Sequence, residues 1–297
     1  MTHLEKRIRR ASLLGLALFA ASGFAQTADL QHLRDQYLNT PLILRGFYSG
    51  ERLRYDSAGS PVGDTTAGDW TTDGIVQLSD ISFTERHLSA TGVRLIVISY
   101  DNVFQFFAHN KLGRGHKPPT LSIEAELKTD GALAESVAAA LSKVFLTAQD
   151  SFRDLVPDYW KYCVQDALSD GDENCHFAKE FMTIPGFALG KRLALKDEIL
   201  RYIPDPVRPP ITPPNILAHE EARLSEEAKK ARYKGVVVFS LVLDSTGQAR
   251  GIRILSPIGF GLDQRAFHAL EGWRFKPAEK NGKPVSIPMQ VQVDCIQ

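Results

Sequence analysis

The sequence predicts an α+β protein: an N-terminal antiparallel β-rich domain followed by helices, then a small C-terminal α+β unit. Three observations carry this. Segments rich in β-branched and aromatic residues recur over 41–128, separated by turn residues such as Gly59-Ser60-Pro61 and Thr72-Asp73-Gly74. A stretch dense in Ala and Leu then takes over at 132–148. Beyond Tyr233 the apolar period changes from strand to helix and back to strand.

Residues 1–25 read as a targeting segment. Lys6, Arg7, Arg9 and Arg10 form a basic head, an apolar run covers 11–24, and small side chains precede a cleavage point between Ala25 and Gln26. The competing reading is a retained membrane anchor. About 15 apolar residues span roughly 22 Å as a helix, short of the roughly 30 Å hydrocarbon core, which favours cleavage and export to the periplasm.

The domain at 26–203 opens with strands expected at 41–47, 74–83, 92–100, 103–107 and 119–128. Over 121–127, Leu121, Ile123, Ala125 and Leu127 alternate with Ser122, Glu124 and Glu126. That alternation predicts a sheet with one solvated face. The aromatics Tyr48, Tyr55, Phe83, Tyr100, Phe104, Phe106 and Phe107 are read as core rather than as a ligand pocket. Helices are expected at 132–148, 152–168 and 191–203, interrupted by Pro157 and by Pro185-Gly186.

Six prolines between Pro204 and Pro214 make a stiff extended linker, reaching about 34 Å at most, which marks a domain boundary at 204–214. The C-terminal domain at 215–297 begins with a short helix over 224–232, for which Ser225 is a suitable N-cap. Apolar runs at 236–243 and 249–255 flank Asp244-Ser245-Thr246-Gly247, a β-hairpin. Leu262, Ala266, Ala269, Leu270 and Trp273 then form one helical stripe, with Asp263 in the first turn where a negative charge suits the helix dipole. In the last segment Val285, Ile287, Met289, Val291, Val293 and Cys295 alternate with Ser286, Pro288, Gln290, Gln292 and Asp294. Three strands with one helix on one face are the expected product.

These residues resemble the C-terminal domain of the TonB family. Leu255-Ser256-Pro257, Gly261-Leu262-Asp263, Ala266, Ala269, the run from Trp273 to Ala278 and Gly282-Lys283-Pro284-Val285 carry the resemblance, over roughly the last 80 residues. It implies a binding module that adds an extended segment of an outer-membrane receptor, or of another envelope protein, to its last strand. The docking edge is then Met289, Gln290, Val291, Gln292, Val293, Asp294 and Cys295. Pro288, which has no N–H, shortens that edge. Work with the membrane motor proteins ExbB and ExbD follows only if the N-terminal segment is a retained anchor. In a third reading the N-terminal domain binds a ligand or catalyses, and the TonB-like domain is its adaptor.

Other constellations are weaker. Thirty-five basic and 35 acidic side chains leave no basic footprint for nucleic acid. Cys163 and Cys175 flank a polar turn, and in an oxidising compartment they are a disulfide pair. Such a bridge contributes about 3 kcal/mol on the chain-entropy model. Cys295 reads as a buried thiol. Asp170, Asp172 and Asn174 imitate the start of a calcium loop, but Cys175 and Phe181 stand where Gly and Glu are needed. His87, His109 and His116 lack partners at metal-binding spacing, and Glu124 with Glu126 reads as a solvated strand face. No nucleophile elbow, phosphate loop or zinc-protease motif is present. No enzyme activity and no cofactor are therefore expected.

Overall fold

The computed structural model describes residues 28–101, 103–108, 119–166, 176–187 and 211–296. Helix α1 covers 28–37. Strands β1 (Pro41–Ile43), β2 (Arg52–Tyr55), β3 (Ile75–Phe83), β4 (His87–Tyr100), β5 (Val103–Ala108) and β6 (Leu121–Glu126) follow. Next come α2 (Leu133–Val144), α3 (Asp158–Asp166) and the short β7 (His176–Phe177). Pro157 divides the helix expected at 152–168: a 3-10 turn at Phe152–Asp154 stands before it and α3 begins after it. The helix expected at 191–203 lies outside the described residues.

The N-terminal sheet runs β1-β3-β4-β5-β7, with β6 on the other part of β4 and β2 on β6. Most ladders are antiparallel, as expected, but β2–β6 and β5–β7 are parallel. The solvated face expected from 121–127 is present on β6, where Glu124 and Glu126 are exposed, but not where β1, β3 and β4 meet. Leu42, Leu44, Val76 and Leu78 pack with Val137, Leu141 and Phe145 of the α2 region. Ile43, Ile75, Ile96 and Phe104 are buried on the other side with Trp160. The physical reason is that the sheet has a layer on each face, and the second layer includes the C-terminal unit. Of the aromatics, Tyr55 and Phe104 are core, whereas Tyr100 is 61% exposed.

The C-terminal unit holds α4 (Glu226–Ala231), β10 (Gly235–Leu243), β11 (Ala249–Ser256), α5 (Leu262–Gly272) and β15 (Ile287–Cys295). Short strands β8 (Ile211–Thr212), β9 (Asn215–Ala218), β12 (Arg274–Lys276), β13 (Ala278–Lys280) and β14 (Lys283–Val285) complete it. The principal sheet is β11-β10-β15 with α5 on its inner face, the expected arrangement. Ser225 caps α4 by accepting from the Ala228 amide at 3.0 Å. The Asp244 carboxylate ties the hairpin turn, accepting from the Thr246 and Gln248 amides at 2.9 and 3.0 Å. Gly247, at φ 82°, sits so close to Phe275 that a Cβ there would lie 2.1 Å from its carbonyl oxygen.

The Pro-rich stretch does more than connect. Its described end, 211–214, pairs antiparallel through β8 with β13, and β9 just beyond it pairs with β12. The two halves also share one hydrophobic core. Trp160, Tyr159 and Phe104 from the N-terminal half join Phe239, Ile254, Leu262, Leu270 and Val293 from the C-terminal unit.

Candidate functional site: a free strand edge on a shared platform

Strand β15 lies at one edge of the principal sheet. It pairs with β10 over nine residues without a slip, from Gly235 opposite Cys295 to Leu243 opposite Ile287. Among the described residues its outer side meets one bridge, Ala222 with Cys295 at the far end. The expected docking residues therefore lie together on this edge. Val291, Val293 and Cys295 turn inward and are buried; Gln290, Gln292 and Asp294 are exposed. The expected strand starting at Val285 is split, because Val285 ends β14 opposite Ala278 and β15 begins at Ile287.

The register makes the edge readable. In an antiparallel ladder a residue's N–H and C=O point to the same side, and the side alternates along the strand. Pro288 faces Val242 and has no N–H to give. A proline is tolerated where its nitrogen faces away from the ladder. With no bulge in the pairing, positions 290, 292 and 294 share its direction and present their main-chain groups outward.

Cys295 is a free thiol, fully buried, and its Sγ lies 3.8 Å from the Leu262 carbonyl oxygen. Burial, with Asp263 and Asp294 nearby, pushes it up to about 12, so it is a packing group and not a nucleophile. Cys163 is fully buried and disulfide-bonded. Cys175, its expected partner, lies outside the described residues, as do Ala25, Gln26, His109, His116 and the 170–174 turn. Among the described residues no helix is long and apolar enough to cross a membrane.

Sequence reasoning missed what holds the platform. The loop 257–261, between β11 and α5, docks on β4 where β3 leaves it. The Ser99 amide donates to Ile258 O at 3.1 Å, and the Phe260 amide donates to Val97 O at 2.8 Å. The Tyr233 hydroxyl donates to Ile258 O at 3.0 Å, and its ring stacks on Phe260. Ser225 Oγ donates to Phe260 O at 2.9 Å. Asp263, expected to serve the helix dipole, is fully buried and holds the loop from its own side. Its two oxygens accept from the Ile258 and Gly259 amides at 2.8 and 2.7 Å. From the other half, Thr71 Oγ1 accepts from the Gly261 amide at 2.8 Å and donates to Asp69 Oδ1. Burial raises the Asp69 carboxyl to about 6. Burial first, and the Asp69 charge second, raise Asp263 well above the ordinary range.

Among the described residues the carboxy-terminal unit is a helix-backed sheet of three strands with one edge unpaired over most of its length, an arrangement that leaves main-chain groups without ladder partners. Residues 220–294 match the family model described as Gram-negative bacterial TonB protein C-terminal, so the carboxy-terminal unit is a TonB C-terminal domain. A search among curated proteins gave no match. The matched segment is about a quarter of the chain, and the domain is one found in the bacterial cell envelope.

Proposed function

We propose that this is an exported, periplasmic protein whose TonB-like domain captures an extended segment of an envelope protein as a fourth strand along Met289 to Cys295. The observation that carries the reading is that, among the described residues, the outer side of β15 meets no strand beyond the single Ala222 bridge at Cys295. Main-chain groups at Gln290 and Gln292 supply the bonds, and Pro288 and Ala222 bound the usable stretch. The basic head and apolar run of residues 1–25 support export, and a disulfide at Cys163 fits an oxidising compartment. An outer-membrane receptor plug segment is the partner the resemblance favours.

The test uses the full mature chain and a peptide copying the N-terminal plug segment of an outer-membrane receptor. Binding is followed by fluorescence anisotropy. Gln292→Ala retains binding, because the side chain is not the contact. Gln292→Pro abolishes it while circular dichroism stays native. Equal binding by the proline variant, or none by the wild type, overturns the reading.

A further inference from the structure

Loop 257–261 is gripped from both sides by a buried carboxylate. Asp69, 7% exposed, reaches it through Thr71; Asp263, 0% exposed, binds it directly. Their compensation comes from hydrogen bonds: Thr71 donates to Asp69, and the Ile258 and Gly259 amides donate to Asp263. Asp73 is a third carboxylate, and its own cation is Arg94, 3.5 Å away. Glu227 bears on Asp73, while Tyr159, Tyr233 and Cys295 face Asp263 as neutral groups. Tyr159 also faces Asp69 and Glu271.

We propose that this seam is a proton-gated latch, closed while Asp69 and Asp263 hold a proton between them and loosened when both are ionised. Two buried carboxylates gripping one loop do not both ionise at ordinary cost. Once the loop leaves β4, water reaches each and both return to the usual carboxylate range. Opening therefore releases a proton. A carboxyl raised in the closed state stabilises it at low pH, and that stabilisation fades as pH rises through the closed-state titration. The opening equilibrium grows about tenfold per pH unit across that window and then levels. Opening bares the β4 edge at 97–99 and frees the platform that carries β15. The inference does not depend on the identity of any partner.

Hydrogen exchange on the full mature chain between pH 5 and 9, corrected for intrinsic rates, tests it. The Ser99, Phe260 and Gly261 amides lose protection by about tenfold or more, while the Val76 amide in the β1–β3 ladder does not follow. Asp69→Asn, which keeps an acceptor for Thr71, flattens the response. Thr71→Val lowers seam protection at every pH and leaves the slope. A flat wild-type profile, a parallel loss at Val76, or an unchanged slope in Asp69→Asn overturns the latch. Asp263→Asn gives a second reading if its circular dichroism is native.

Discussion

Tyr159 of α3 lies flat against Phe267 of α5, ring centroids 4.1 Å apart and planes 13° from parallel. The pair joins the N-terminal half to the TonB-like domain, and Phe239 of β10 meets both rings. Tyr159→Ala is expected to cost about 3–5 kcal/mol in urea unfolding, the range for truncating a buried aromatic. A double-mutant cycle with Phe267→Ala should give a coupling of about 0.5–1.5 kcal/mol. Because the core is continuous, wild-type unfolding is one transition seen equally by probes in either half; two separate transitions would contradict a shared core.

Gly259 is a seam position where only glycine fits. It has φ 76°, and a Cβ would lie 2.4 Å from Val97 O and 2.9 Å from Ile98 Cα, both backbone atoms. Gly259→Ala therefore parts the seam and costs at least about 3 kcal/mol, adding a steric clash to the left-handed penalty. Gly251 has φ 58° and open space around it, so Gly251→Ala costs only about 1–2 kcal/mol. Thermal unfolding of the two variants checks the contrast.

A proline scan along β15 reads its hydrogen-bond direction. Proline at 290 or 292 leaves the β10 ladder intact and shifts Tm little. Proline at Val291 or Val293 removes an N–H that faces β10 and costs about 3 kcal/mol or more. Equal damage at all four positions would show that the outward parity is assigned wrongly.

Asp244 gives the hairpin turn a pH signature. The Thr246 hydroxyl and the Gln248 amide hold its carboxyl well below the usual range. A depressed carboxyl contributes stability above the ordinary Asp pKa, and that contribution is lost as pH falls through the folded-state value. Asp244→Asn should remove this part of the acid sensitivity below about pH 4, measured by urea midpoints against pH.

Thiol titration checks the cysteines. Of three in the chain, Cys163 is bridged and Cys295 is buried. No thiol reacts in the native protein, and one reacts in guanidinium without reductant. Two or more reacting thiols would contradict the bridge.

The hairpin, the helix and the final strand of the TonB-like domain are written locally. Period two and period 3.6 patterns need only neighbours in sequence, and the Asp244 turn bonds and the Ser225 cap on Ala228 span only a few residues. The strand β2 and the tight turn at Asn281-Gly282, with φ of 52° and 74°, had local signals too: an alternating Arg52–Tyr55 and an Asn-Gly pair. The in-and-out alternation of the last strand and the missing N–H of Pro288 were equally legible, since both follow from residue order alone.

The residue string could not say what lies against that sheet. Leu42 to Leu44 and Ile75 to Val76 are apolar on both faces, and an apolar run does not name its second cover. Nor could it show that Asp263 and Asp69, 194 positions apart, grip one loop, because long-range contact follows from packing and not from spacing. Nor did any local signal announce that the described end of the linker pairs as β8 with β13, or that β9 just beyond it pairs with β12. The physical reason is that a short three-stranded sheet buries too little by itself. Its remaining apolar surface finds the nearest complementary layer, and that layer belongs to the other half of the molecule.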